Sequence, residues 1–140
     1  MIALETVPMS RRYLEEVVAL LQEVSVFEPA PETFEDIWAR FSSQLNYFSI
    51  VILSAGRVVG FGALLVEHKI RGGKMGHIED VVSSPEVRGL GVGRLLISEL
   101  VKIASAQECY KVALHCQKHN VGFYEKCGFK SNGNSMQRIF

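Results

Sequence analysis

Cysteine is scarce in this sequence and odd in number. Cys109, Cys116 and Cys127 form no Cys-x-x-Cys pair and no metal-ligand spacing, even with His68 and His119 counted. That argues against a disulfide framework and a metal site, and fits reduced thiols in a cytosol-like compartment. An excess of either charge is missing too: 15 Lys and Arg offset 15 Asp and Glu, for a formal net charge of +0. No field draws the chain to nucleic acid or to an anionic membrane, and neither is expected as a partner. No apolar run is long enough to cross a bilayer, and no basic-then-apolar leader opens the chain, so the expected location is cytoplasmic. Internal repeats, low-complexity tracts and linkers are also lacking. What is present is 140 residues, 48% of them hydrophobic, enough for one domain over 1–140 and too few for two.

Residues Ile2 to Val7 read as a first strand, with Ser10 placed to N-cap a helix that carries Leu14, Val17, Val18, Leu21 and Val24 at helical spacing. Pro29 and Pro31 punctuate a loop, and a second helix is expected from Thr33 to Gln44. The pattern then changes. Tyr47–Leu53 and Val58–Val66 are apolar, β-branched runs around Ser54-Ala55-Gly56-Arg57, which predicts a hairpin. Lys74–Ser83 is a further strand, a helix starts near Gly91, Tyr110–Cys116 is a strand, and Val121–Cys127 is a short helix. From Phe129 onward a final pair of short strands is expected. The order β-α-α-β-β-β-α-β-α-β-β gives an α/β (α+β) fold with a central, mixed, mostly antiparallel sheet of about seven strands and helices on both faces.

The most informative stretch joins a strand to a helix through Arg88-Gly89-Leu90-Gly91-Val92-Gly93-Arg94. Successive glycines let neighbouring N–H groups converge, and the helix N-terminus adds partial positive charge, so the segment suits a pyrophosphate flanked by two arginines. A dinucleotide site would need this loop after the first strand and an acidic residue ending the next; here Leu114-His115-Cys116 stands there. A P-loop fails for want of a Lys-Ser/Thr pair.

These glycines resemble the Arg/Gln-x-x-Gly-x-Gly/Ala signature of the GNAT acetyltransferases, and the resemblance covers nearly the whole chain in element order. Gly76-His77-Ile78-Glu79-Asp80, together with Asn120-Val121-Gly122-Phe123-Tyr124-Glu125-Lys126-Cys127-Gly128-Phe129, narrows it to the glucosamine 6-phosphate N-acetyltransferase family. The resemblance implies acetyl transfer from acetyl-CoA to the amine of glucosamine 6-phosphate by direct attack in a ternary complex. It implies that the backbone of Val81 and Ser83 holds the pantetheine arm. The Arg88–Arg94 loop (Arg88, Gly89, Leu90, Gly91, Val92, Gly93, Arg94) would hold the pyrophosphate, with Asn120, Tyr124 and Lys126 as further coenzyme A contacts.

Tyr124 matches the family tyrosine that serves the departing sulfur, a task suited to a phenol donating one charge-assisted hydrogen bond. The oxyanion that forms would be met by a backbone N–H near Val81. Glu79 and Asp80, adjacent on a strand, point to opposite faces unless a bulge intervenes. The resemblance implies that bulge, with both carboxylates contacting the sugar and Glu79 nearer the amine. His115 stands where the family usually has an acid, and a neutral imidazole can take the same proton. His77, Lys111 and Lys118 are candidates for the sugar hydroxyls and the 6-phosphate. The resemblance also implies a homodimer in which the last strand packs on the partner and Arg138 supplies a phosphate contact. The competing readings are a GNAT enzyme for another amine (protein, polyamine or aminoglycoside) and a non-catalytic acyl-CoA-binding module.

Overall fold

The computed structural model describes residues 3–140. It forms a five-stranded sheet in the order β1-β2-β3-β4-β5, built from β1 (Leu4–Pro8), β2 (Tyr47–Ser54), β3 (Arg57–His68), β4 (Lys74–Ser83) and β5 (Cys109–Leu114). The first four strands pair antiparallel and β5 joins β4 in parallel, so the sheet is mixed. Helices α1 (Leu14–Leu21), α2 (Phe34–Ser42), α3 (Val92–Ala106) and α4 (Val121–Lys126) complete the chain.

Strand alternation sorts the core into two layers. Ile50, Ile52, Leu64 and Ile78 pack against Leu96, Ile97 and Leu100 of α3. Val51, Leu53, Phe61, Ala63 and Val82 pack with Val17 of α1 on the other face. Val51 and Ile52 are consecutive and both 0% exposed, one in each layer. Burying a side chain of this size stabilises by about 1.5–3 kcal/mol, and the parallel β4–β5 pairing exists because α3 supplies the crossover.

Several expectations need correction. Ile2, expected in the first strand, lies outside the described residues. The Ser10 hydroxyl caps nothing; Arg11–Tyr13 form a 3-10 turn, and α1 stops at Leu21, leaving Val24 54% exposed. β5 ends at Leu114, short of the expected Cys116: its last pair is Ile78↔Leu114, where the regular ladder of β4 gives way to a register shift. The final pair of strands is absent, which leaves five strands among the described residues where about seven were expected. Lys130-Ser131-Asn132-Gly133-Asn134-Ser135 is a run of poor strand formers with Gly133 at φ 76°, so Phe129 is followed by a tail without a ladder.

Candidate active site

The site begins with one irregularity in β4. Phe61 pairs with Val82 and Ala63 with Glu79, so Gly62 alone opposes Asp80 and Val81. This is a β-bulge, and Asp80 takes φ 53° within it, a left-handed conformation that Asp tolerates better than most residues. The extra residue resets the alternation: Ile78 and Val81 both face the α3 layer, while Val82 faces α1. Glu79 and Asp80 are exposed.

Below the bulge β4 is paired on both sides; above it, only β3 remains. The last parallel pair is Ile78↔Leu114, and from Glu79 to Ser83 the second edge of β4 has no strand beside it. Bonded and non-bonded residues alternate along an antiparallel edge. Ser84 N–H donates to Val59 C=O at 2.8 Å. Val82 and Ser84 therefore face β3, and Val81 and Ser83 turn their N–H and C=O groups to the open side.

The open edge leads to the glycine loop. Pro85–Val87 form a 3-10 turn whose N-cap, Ser84, accepts from Glu86 N–H. Gly89 and Gly91 then sit at φ 82° and 80°. The first intrahelical bond of α3 runs from Leu95 N–H to Gly91 C=O, 2.9 Å. The N–H groups of Gly91, Val92, Gly93 and Arg94 thus have no acceptor within the helix. Arg88 and Arg94 are exposed, and neither engages a carboxylate among the described residues. Convergent N–H donors, a helix N-terminus and two uncommitted guanidinium groups fit a pyrophosphate.

Beside the splay, β4, β5, α4 and the tail enclose a cleft of about 550 Å³. Five candidates from the sequence line it together: His77 and Glu79 from β4, Lys111 and His115 from β5 and its end, and Tyr124 from α4. Tyr124 is held edge-on to Phe123 (centroids 5.0 Å apart) and Phe129 (6.1 Å). Burial pushes its phenol pKa up, and Cys116 and Cys127 add in the same direction, so the group stays protonated at neutral pH.

Other candidates lie apart from the cleft. Asp80 occupies the bulge without lining the cavity. Lys118 and Asn120 belong to an exposed 3-10 turn before α4, and Lys126 is exposed at the end of α4. Arg138 stacks over the Phe140 ring at 5.3 Å.

Three residues of the site escaped sequence reasoning. Lys130 lines the cleft from the tail. Tyr47 lies near both acids: burial raises its phenol pKa, and the Glu79 and Asp80 charges push the same way. Glu67 places Oε1 2.7 Å from His77 Nε2 and 3.1 Å from Lys69 Nζ. The His77 hydrogen bond and then Lys69 hold the Glu67 carboxyl below the usual carboxylate range. The signal for Glu67 was available in the hairpin register, since Leu65↔His77 and Glu67↔Met75 make Glu67 and His77 diagonal neighbours.

The mixed sheet, with its β4 edge open beside a glycine loop, places the chain among acetyltransferases by family: the Acetyltransferase (GNAT) family model matches residues 14–129, and the chain belongs to that family. The chain is 41% identical over 129 residues to the glucosamine 6-phosphate N-acetyltransferase of Candida albicans, across 89% of this chain and 85% of that one. Identity to glucosamine 6-phosphate N-acetyltransferase 1 of Oryza sativa subsp. japonica is 36% over 146 residues, covering 98% and 84%. The crystal structure of glucosamine-6-phosphate N-acetyltransferase from Arabidopsis thaliana superposes with a TM-score of 0.90 at 28% identity, over 99% of each chain. Within the family, the narrower kinship is with the glucosamine 6-phosphate N-acetyltransferases.

Proposed function

We propose that the chain transfers the acetyl group of acetyl-CoA to the amine of glucosamine 6-phosphate, by direct attack with both molecules bound. The observation that carries this reading is the junction of two features: an open β4 edge running from the glycine loop, and a cleft where Tyr124, Glu79 and His115 meet. Acetyl-CoA supplies an activated acyl thioester. The N–H groups from Gly91 to Arg94, with Arg88 and Arg94, are suited to its pyrophosphate, and Val81 and Ser83 to its amide-bearing arm.

Glu79 and His115, both lining the cleft, are assigned to accept the amine proton. Tyr124, a phenol that is protonated at neutral pH and that burial shifts further that way, donates a hydrogen bond to the sulfur as it gains charge. Lys111 and Lys130 are the lysines lining the cleft and match a phosphate group. The test is release of free thiol from acetyl-CoA. Release on adding glucosamine 6-phosphate, and not with glucosamine, supports the reading; release with a polyamine instead overturns the substrate.

A homodimer belongs to the same proposal. Met136, Ile139 and Phe140 in the tail are 92%, 84% and 103% exposed, and a second copy is the cover expected for such an apolar segment.

A further inference from the structure

Glu67 is not part of the cleft wall, yet it grips a residue that is. Its Oε1 lies 2.7 Å from Nε2 of His77, and His77 lines the cavity two residues before Glu79 on β4. We infer that Glu67 is a positioning residue for the acceptor sugar, acting through His77, an inference that rests on the cleft being the amino-sugar site.

A carboxylate only accepts hydrogen bonds, so the facing nitrogen must carry the hydrogen. In the neutral imidazole, that leaves Nδ1 as a bare acceptor. A bare acceptor matches a sugar hydroxyl or an ammonium group and is mismatched to a phosphate dianion, whose oxygens are themselves acceptors. Glu67 thereby assigns His77 to the ring and amine end of the substrate and leaves the phosphate to the lysines. The contact is well anchored. Glu67 and His77 sit on adjacent antiparallel strands, and Lys69 holds the same carboxylate oxygen at 3.1 Å.

Two measurements test this. In substrate-free protein, nitrogen-resolved imidazole spectra should show His77 as the Nε2–H tautomer, and Glu67→Ala should give a mixture. A His77 spectrum that Glu67→Ala leaves unchanged overturns the inference, and this arm does not depend on the substrate being correct. In steady state, Glu67→Ala and His77→Ala should each raise the KM for glucosamine 6-phosphate by about tenfold, the loss of one good hydrogen bond. The KM for acetyl-CoA should stay within about twofold. The double variant should be no worse than His77→Ala, as for residues acting in series. A further KM rise in the His77→Ala background would send the effect through Lys69 and defeat the proposal. If Glu67→Ala fails to fold, Glu67→Met, which keeps the length of the side chain and offers no oxygen to accept the Nε2–H, carries both measurements. Wild-type protein inert towards glucosamine 6-phosphate would defeat the substrate assignment while the tautomer result still decided the Glu67–His77 lock.

Discussion

A Cβ at Gly93, in the first turn of α3, would lie 3.3 Å from Cζ of Phe123 on α4. The contact is tight, and Phe123 in turn meets the Tyr124 ring edge-on at 5.0 Å. Gly93→Ala gains helix propensity, worth about 1 kcal/mol in a helix interior, and displaces Phe123 by a few tenths of an ångström. Thermal melts should therefore show no loss of stability, while the turnover number falls severalfold as Tyr124 shifts. Unchanged turnover would show that the two helices are uncoupled.

Gly91 is constrained differently. Its φ is 80°, and nothing lies within 4 Å of a Cβ built there, so a substitution costs backbone strain and causes no collision. The left-handed conformation costs a non-glycine residue about 1–2 kcal/mol, less for Asn. Affinity for coenzyme A, measured by calorimetry, should fall in the order Gly, Asn, Ala, Val at this position. Equal affinity of the Val variant would remove the pyrophosphate from this loop.

Tyr124→Phe keeps the ring and its aromatic contacts and deletes the donor. The turnover number should drop by about 10²-fold, the low end for acid–base help because a thiolate leaves readily, with affinity for acetyl-CoA nearly unchanged. The sign of the pH effect follows from the raised phenol pKa. The donor is present at neutral pH and is lost only as the pH climbs past the ordinary value of 10.0. Any alkaline fall in rate due to Tyr124 should thus lie above that value and vanish in Tyr124→Phe.

His115 lines the cleft beyond the end of β5. If it takes the amine proton, His115→Leu should lose activity at neutral pH and recover some at higher pH, whereas His115→Asp stays active. The acid limb of the rate profile should change in His115→Asp. A His115→Leu profile identical to wild type would show that His115 does not take the amine proton.

Sedimentation at micromolar concentration should show a dimer. Truncation after Ser135, which removes Met136, Ile139 and Phe140, should shift it to monomer. A monomeric full-length chain would refute the assembly.

The elements that sequence exposes well are those fixed by local pattern. Lys74–Ser83 coincides with the expected strand, and the glycine loop stands where the spacing of Gly89, Gly91 and Gly93 put it. What escaped depends on register. The early end of β5 falls at Ile78, just before the β4 bulge begins, which nothing within Tyr110–Cys116 encodes. Glu67 reads as one more strand-end carboxylate until the hairpin register sets it beside His77. The tail misled in the opposite way: a pair of strands was expected from Phe129 onward, but the polar run from Lys130 to Ser135 forms none.

The half-open edge of β4 also bears on solubility. An unpaired strand edge is a template on which another chain can add, and aggregation begins there when the edge is long and flat. This edge is open only from Glu79 to Ser83, is bent at its start by the bulge, and carries two exposed carboxylates at that bend. An incoming strand would find few groups in register and would meet negative charge. The distortion that leaves room for a small molecule therefore also makes the edge a poor seed for fibrils.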